Sequence, residues 1–366
     1  MQRYNRLFAL CISLIFSCII YSTNDYSTSP KKLPPVLVVG GIMCDFFLQL
    51  EQSNQTDLQN PGFIFFKEGE KIPLKSFECY SGGGGLNVAI ALRKLGHETF
   101  LASRVGKDVT GSSLLKELAE YGVNTSLVTV DETASSGTSF ILPSSHGNNT
   151  ILMNRGANIC INKEHEFENL SLKGFSGVYL APLSGNSLRF GLDIAKKAQK
   201  SNIPVLLNPS TTQIKDIAYM EEILKFVSIV LLNEIEATLL GLTLGTTIKN
   251  IQEQKNLALW VIEQGAKICI ITNGSAGCLY ATKESCLFQP PHPITPQKSV
   301  GAGDTFGATV FGSLLTQHPL EGAIERATIH SSSVLIEPIP HCGLLSHTIL
   351  TEKLTNTLLD HAYSIA

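Results

Sequence analysis

The sequence predicts an α/β fold: a doubly wound, mainly parallel sheet flanked by helices, with a small β-sheet lid. Two observations support this prediction. Short apolar runs alternate with amphipathic helical patterns along the chain, and two stretches that break the alternation have the pattern of β-hairpins. A parallel sheet with helices on both faces requires strands that are apolar throughout. A chain of 366 residues, 43% of them apolar, is long enough to bury such a sheet.

The alternation begins at the run VLVVG (36 to 40) and continues to ICIIT (268 to 272), and the chain after Gly301 is predicted to be helical. Strands are predicted at 36–40, 99–103, 178–181, 204–208, 228–233 and 268–272. Helices are predicted at 86–95, 111–121, 187–200, 248–264, 304–316, 321–335 and 348–360. This order of strand and helix predicts parallel strands joined by helical crossovers.

The two exceptions are residues 62–80 and 137–154, the second with a turn signal from Ser144 to Asn149. Both favour antiparallel strands. We expect them to form a small sheet that stands off the main one as a lid over a substrate cleft, where specificity would reside. The alternative is an ordinary hairpin at the sheet edge.

Residues 1–35 are predicted to be a hydrophobic leader and a linker, and residues 36–366 a single domain. Arg3 and Arg6 precede a mostly apolar run at 7–21 that resembles the core of a signal peptide. The run is short for a transmembrane helix and has no clean cleavage site after it. Its fate stays open between a signal, an anchor and another segment that contacts a membrane.

The composition excludes some functions. A net charge of -3 gives no basic field, so the sequence does not favour a nucleic acid partner. The nine cysteines include no CxxC pair, which argues against a zinc site and a redox motif. Several lie in strand-like runs, which favours buried, unpaired side chains.

The strongest motif is SVGAGDTFGATVFGSLL (299 to 315), a glycine turn that leads into a helix. Small residues at Gly301, Ala302 and Gly303 would let backbone N–H groups approach a phosphoryl group, and a helix N-terminus favours negative charge. Asp304 beside this anion hole could accept the proton of an attacking hydroxyl. The alternative is that Asp304 caps the helix and the glycines make a tight turn.

A second glycine-rich motif, GGGGLNVAIALRKLG (82 to 96), also precedes a predicted helix. Glycines allow a ligand to approach the backbone, and Asn87 can both donate to and accept from sugar hydroxyls. A dinucleotide-binding turn is the alternative, but the strand and GxGxxG spacing that it needs directly before the helix are missing.

With these two motifs the sequence resembles the ribokinase-like (PfkB) carbohydrate kinases. The resemblance implies a ribokinase-like fold and ATP-dependent phosphorylation of a hydroxyl on a sugar or sugar-like molecule. It implies that Asp304 is the catalytic base and that residues 301–303 form the anion hole. Gly83, Gly84 and Asn87 would then bind the acceptor.

Further motifs match the same family in the same order. GGIMCD (40 to 45) ends with Asp45, which resembles the family's acidic ligand of sugar hydroxyls. A carboxylate just past a strand lies where open α/β sheets bind ligands. VGKDVTG (105 to 111) resembles another family segment, in which Asp108 is expected to be structural.

NEIE (233 to 236) resembles the family's NxxE motif, which organises Mg²⁺ and its water shell. The resemblance implies that Asn233 and Glu236 are the metal residues, acting mainly through water. Without the resemblance, the same pair is typical of a helix cap and a first-turn acidic residue.

TNGSAG (272 to 277) resembles the family's turn beside the nucleotide, which implies that Thr272, Gly274 and Gly277 lie near ATP. Asn208 in LLNPS is a further candidate near the phosphoryl path. An Asn-Pro turn also explains Asn208 without a ligand.

The segment before Asp304 departs from the family pattern DTTGAGD, because Lys298 replaces the acidic residue and Val300 replaces a threonine. The sequence therefore does not predict a potassium requirement, and we hypothesise that Lys298 supplies the charge instead. Since a kinase needs ATP, the domain is expected to face a cytosol-like ATP pool.

The acceptor stays open among ribose, fructose, a nucleoside and a phosphorylated sugar. Arg155 could bind a carboxylate or phosphate on the acceptor or be an ordinary surface residue. Members of the family often dimerise through the lid, so a homodimer is compatible with the sequence. The competing functions are a catalytically silent sugar- or nucleoside-binding regulatory protein and a nucleotide-dependent oxidoreductase.

Overall fold

The computed structural model describes residues 33–51, 64–143, 149–162, 164–296, 301–337 and 341–365. The leader run at 7–21, the turn at 144–148 and both Lys298 and Val300 lie outside these residues. From Pro34 onward the chain forms one compact unit. None of the helices in the described ranges has the length and apolar character needed to cross a membrane.

The strands are β1 (Leu33–Val39), β2 (Met43–Leu50), β3 (Leu74–Gly82), β4 (His97–Gly106), β5 (Val128–Asp131), β6 (Gly137–Pro143), β7 (Asn149–Asn154), β8 (Gly177–Leu180), β9 (Val205–Leu207), β10 (Ile229–Asn233), β11 (Ile268–Thr272), β12 (Cys278–Ala281) and β13 (Cys286–Gln289). The α-helices are α1 (Gly84–Lys94), α2 (Val109–Glu120), α3 (Ser187–Lys200), α4 (Thr211–Lys215), α5 (Ile217–Ile223), α6 (Glu234–Thr243), α7 (Ile251–Glu263), α8 (Ala302–Leu315), α9 (Leu320–Leu335) and α10 (His347–Ile365). Strand β1 includes the last three residues that the sequence assigned to the linker.

The main sheet has nine strands in the order β13-β12-β11-β10-β9-β8-β1-β4-β5. Strands β8 to β11 pair in parallel with one another, β1 is parallel to β8, and β4 is parallel to β5. After β1, the next strands of the main sheet, β4 and β5, lie on one side of β1. The later strands, beginning with β8, lie on its other side. This reversal beside β1 is a topological switch point, where open α/β sheets bind ligands.

Both faces of the main sheet are buried, as the sequence predicted. Alternate residues of β1 belong to different core clusters: Leu37 and Val39 face one, while Val36 and Val38 face the other. This arrangement explains why the parallel strands are apolar at every position. The doubly wound prediction is therefore confirmed, although the antiparallel edge strands β12 and β13 were not predicted.

The second sheet, here called the small sheet, has the order β3-β2-β6-β7. The sequence predicted a small antiparallel sheet from 62–80 and 137–154, and two details were wrong. Strand β2 was missed, and it pairs in parallel with β6. Residues 65–73 form no strand, so the first hairpin is built by β2 and β3.

Candidate active site

Several site residues that the sequence predicted lie at or just past the carboxyl ends of adjacent parallel strands of the main sheet. Thr272 and Asn233 are in register at the ends of β11 and β10, and Asn208 follows β9. A Cβ on Gly84 would lie 2.8 Å from Pro182, just after β8, and 3.5 Å from Asp304 Oδ1. Because neighbouring strands are spaced by about 4.8 Å, the five strands from β11 to β1 cover about 19 Å. The predicted nucleotide and acceptor residues therefore lie along one crevice at the switch point.

Two glycines shape the acceptor end of this crevice. Gly83 precedes α1 with a φ of 91°, a conformation that glycine adopts without steric cost. A Cβ on Gly82 would lie only 1.9 Å from Asp45 Oδ2, so a side chain there would displace the carboxylate. These glycines bring the start of α1 and Asp45 into contact.

Asp45 lies in β2 and faces a pocket. Its Oδ1 accepts a hydrogen bond from Ser139 Oγ at 2.5 Å. Burial raises the pKa of Asp45, and the hydrogen bond from Ser139 opposes that increase. The pocket is lined by the polar residues Asp45, Ser81, Asn87, Thr305 and His341, the apolar residues Phe47, Val334 and Leu344, and Gly82 and Gly301. Asp45, Asn87 and the start of α8 are therefore brought together as predicted.

Asp304 is the third residue of α8 and does not cap it. The N-cap is Gly301, with a left-handed φ of 83°, so the alternative that Asp304 caps the helix is wrong. Asp304 Oδ2 accepts a hydrogen bond from Asn87 Nδ2 at 2.7 Å. Burial raises the pKa of Asp304 to about 6, with the charge of Asp45 adding to the increase and the bond from Asn87 opposing it. A carboxylate with this pKa suits a general base near neutral pH.

The N-terminus of α8 is open to a ligand. The first hydrogen bond within the helix runs from Thr305 N to Gly301 O at 3.0 Å. Within the described residues, the N–H groups of Ala302 and Gly303 have no hydrogen-bond partner. Among the residues that the structure describes, no atom lies within 4 Å of a Cβ built on Gly301 or Gly303. Free N–H groups and open space at a helix N-terminus fit an anion such as a phosphoryl group.

Asn233 and Glu236 form a reciprocal cap at the start of α6. Glu236 N donates to Asn233 Oδ1 at 2.8 Å, and Asn233 N donates to Glu236 Oε2 at 2.9 Å. The capping alternative for this pair is thus confirmed. Burial raises the pKa of Glu236 to about 7, and the charge of Asp304 contributes to that increase.

The surroundings of Glu236 fit a cation. The Asn208 amide donates a side-chain hydrogen bond to Glu236, and this bond opposes the rise in the pKa of the carboxyl group. The hydroxyl of Tyr179 is fully buried and has no hydrogen-bond partner among the described residues. Burial and the charges of Asp304 and Glu236 raise the pKa of Tyr179. Such an anionic site with oxygen donors suits Mg²⁺ with its bound waters.

The turn after β11 is held mainly by its own contacts. Gly277 has a φ of 92°, and a Cβ there would lie 2.3 Å from Gln289 O, so packing alone requires glycine. Gly274 has a φ of 54° and open space around it. Asn273 and Gln254 exchange two side-chain hydrogen bonds of 2.8 and 3.0 Å. The turn is therefore a rigid rim at the end of the crevice.

Two other sequence-predicted residues lie outside the pocket lining. Asp108 caps α2 by accepting from Gly111 N and also accepts from Ser136 N and Oγ, so its expected structural role is confirmed. Arg155 precedes a short 3₁₀ helix and is not among the pocket residues.

His341 belongs to the site and was missed by the sequence reasoning. Its Nε2 lies 2.9 Å from Asn87 Oδ1, although the two residues are 254 positions apart. It follows a proline-containing break between α9 and α10 and matches no motif. Only the structure shows that this histidine lines the pocket.

Comparisons with known proteins agree with the geometry. The model of the pfkB family carbohydrate kinases matches residues 38–337. The ribokinase of Staphylococcus aureus (strain COL) is 27% identical over 301 residues, which cover 81% of this chain and 92% of that protein. A bifunctional ribokinase/ribose-5-phosphate isomerase A from Fructilactobacillus sanfranciscensis is 26% identical over 336 residues, 89% of this chain and 58% of that protein. The chain thus spans little more than half of the bifunctional relative.

The solved structure of Arabidopsis thaliana ribokinase, complexed with ribose and ATP, superimposes with a TM-score of 0.73 at 21% identity. The match covers 88% of this chain and 99% of that one, which confirms the ribokinase-like fold. The family match rules out the oxidoreductase interpretation of the glycine-rich turn. Because the family model matches most of its length, the chain belongs to the pfkB family of carbohydrate kinases.

Proposed function

We propose that the protein transfers the γ-phosphoryl group of ATP to a hydroxyl of a monosaccharide, with a ribose-like pentose as the preferred acceptor. The observation that supports this most is the position of Asp304. Its carboxylate lies at the open N-terminus of α8 and borders the acceptor pocket through Asn87. A base and an anion site in contact are what phosphoryl transfer to a hydroxyl requires.

In the proposed reaction, the acceptor hydroxyl gives its proton to Asp304 as its oxygen bonds to the γ-phosphorus and the bond to ADP breaks. In the proposed anion hole of residues 301–303, the free N–H groups of Ala302 and Gly303 stabilise the charge on the transferring oxygens. Mg²⁺, held mainly through water by Asn233 and Glu236, would offset the negative charge of the phosphates. Thr272, Gly274, Gly277 and Asn208 would border the nucleotide.

The acceptor is proposed from the pocket and the relatives. Asp45, Asn87 and the backbone at Gly83 and Gly84 would bind its hydroxyls. Phe47, Val334 and Leu344 line the apolar side of the same pocket. The relatives named ribokinase support a pentose.

The test is ATP consumption over a panel of pentoses, hexoses, nucleosides and phosphorylated sugars. We expect the highest kcat/KM with a pentose, and we expect Asp304→Asn to lower kcat by about 100- to 10,000-fold, as for removal of a general base. Sugar binding without turnover across the panel would contradict the proposal and indicate a silent regulatory protein.

A second variant tests the anion hole. Gly303→Ala places a methyl group in open space, so the fold should tolerate it, yet the methyl group would obstruct a phosphoryl group. Gly322→Ala is the matched control, because Gly322 also lies in the first turn of a helix with room for a Cβ. A loss of kcat in both variants or in neither would contradict the proposed anion hole.

We also propose that the protein forms a homodimer through the small sheet. On one face of that sheet Phe77, Phe140 and Leu152 are 63%, 41% and 56% exposed. Exposed apolar patches of this kind are typical of interfaces. Because the reaction consumes ATP, we propose that the domain faces a cytosol-like ATP pool, with residues 7–21 as an anchor or targeting segment.

A further inference from the structure

His341 is the one imidazole that borders the acceptor pocket among the residues that line it. Its Nε2 lies 2.9 Å from Asn87 Oδ1, and Asn87 Nδ2 lies 2.7 Å from Asp304 Oδ2. The three side chains come from α1, α8 and the segment before α10, so they form a chain of hydrogen bonds that only the folded protein assembles.

The chemistry of the three groups determines the direction of these bonds. An ionised carboxylate can only accept, so the Asn87 amide must turn its NH₂ group toward Asp304. Its carbonyl oxygen then faces His341, and Nε2 must carry a hydrogen to donate to it. The reverse orientation of the amide would place an oxygen against the carboxylate oxygen of Asp304.

We propose that His341 is a positioning residue: by donating from Nε2 to Asn87 Oδ1, it holds the Asn87 amide with its NH₂ group toward Asp304. This inference rests on the proposed function, in which Asp304 is the base. The bond keeps Asp304 Oδ2 occupied by a donor and leaves Oδ1, which faces Gly84, to take the proton of the acceptor hydroxyl.

The placement of His341 supports this role. Its φ is 66°, a left-handed conformation that is strained for most side chains other than glycine. The side chain is buried, and its ring packs edge-on against Tyr121 at 5.9 Å between centroids. The bond to Asn87 and the contact with Tyr121 offset the strain, so the ring has one well-defined orientation.

The other groups that face His341 are compatible with a neutral ring. Glu117 Oε1 lies 3.9 Å from Nδ1, too far for a hydrogen bond, and instead accepts from Ser81 Oγ at 2.5 Å. Burial lowers the pKa of His341 to about 4, so the ring is neutral at pH 7 and its single hydrogen is available at Nε2.

The first test compares His341→Gln with His341→Leu. The glutamine amide can donate to Asn87 Oδ1, whereas leucine cannot donate. We expect His341→Leu to lower kcat about ten- to a hundredfold with little change in the KM for ATP, since it leaves the partly buried Asn87 Oδ1 without its donor. His341→Gln should retain most of the activity.

Controls separate positioning from general damage. In an Asn87→Ala background, His341→Leu should have no further effect on kcat, because its effect passes through Asn87. His330→Leu is the matched control: His330 is fully buried and bonds to Thr309 and to Leu345 N. This substitution should lower the melting temperature without the selective loss of kcat.

A second measurement does not depend on kinase activity. ¹⁵N NMR of histidine-labelled protein at pH 7 should show His341 in the Nε2–H tautomer. The Nδ1–H tautomer would overturn the inference whether or not the enzyme turns over any sugar. Equal kcat in His341→Leu and wild type, equal losses in both His341 variants, or additive losses in the Asn87→Ala background would also overturn it. Absence of turnover in the wild type would instead contradict the proposed function.

Discussion

Replacing Asp304 with asparagine should stabilise the protein while lowering its kcat. The carboxylate of Asp304 is largely removed from water, and its pKa in the folded protein rises from 3.8 to about 6. This change corresponds to about 3 kcal/mol of stability that the ionised carboxylate costs. Because the side chain keeps some contact with solvent, this value is an upper limit. Asparagine has a similar shape, has no charge, and can still accept a hydrogen bond from Asn87.

The sign of the pH dependence follows from the raised pKa. Between pH 3.8 and about 6 the folded state binds the proton of Asp304 more tightly than the unfolded state does. The free energy of unfolding of the wild type therefore falls, relative to that of Asp304→Asn, as the pH rises through this window. The difference between the two proteins should be small near pH 4 and reach its maximum, at most about 3 kcal/mol, above pH 7.

Urea unfolding at pH 4.5 and pH 8 measures this difference. The single tryptophan, Trp260, packs against the core and supplies a fluorescence signal. Asp108→Asn is a control in which the change in the free energy of unfolding should have the opposite sign. Although burial raises the pKa of Asp108, hydrogen bonds from Ser136 and Gly111 lower it overall, so this substitution should destabilise the protein at pH 8. A difference between Asp304→Asn and wild type that is the same at both pH values would refute the reasoning.

Four further outcomes follow from the crevice and the small sheet. Asp45→Asn should raise the KM for the sugar at least tenfold and leave the KM for ATP nearly unchanged, which steady-state kinetics with each substrate varied in turn would check. Glu236→Gln should raise the Mg²⁺ concentration needed for half-maximal activity, with titration of the wild type as reference. Activity should not depend on potassium, since Lys298 replaces the family's acidic residue; strong activation by added potassium would show this expectation to be wrong. Phe140→Asp should convert a dimer into monomers in sedimentation velocity, because it places a charge among the exposed apolar residues of the small sheet.

Sequence patterns predicted the parallel part of the fold because burial on both faces leaves a strong signal. Strand β11 was predicted with the bounds that the structure shows, and so was helix α3. Strand β2 was missed because its residues alternate between two environments. Asp45 faces the pocket, whereas Phe46 stacks on Phe140 on the other side, so the segment lacks a continuous apolar run. Strands β12 and β13 have only four residues each, too few for periodicity to show.

The motifs placed the components of the site but not the contacts among them. The sequence predicted Asn87 as an acceptor-binding residue and Asp304 as the base. Nothing in the residues around them indicates that Asn87 donates a hydrogen bond to Asp304. His341 was not selected at all, since its relation to Asn87 depends on where the chain returns after α9. The NxxE pair could not be assigned to a single role from the sequence. Asn233 and Glu236 cap a helix and also line a site suited to a cation.

The contacts among Asn87, Asp304 and His341 also determine when the enzyme becomes active during synthesis. Asn87 and Asp304 are 217 positions apart, and His341 lies 254 positions after Asn87, in the segment before α10. A ribosome must therefore release nearly the entire domain before the base acquires both of its supporting partners. A product truncated before residue 341 would keep every family motif and still lack one of these supports. The recovery of turnover during refolding should consequently report completion of the whole domain, and lag behind signals from either half alone.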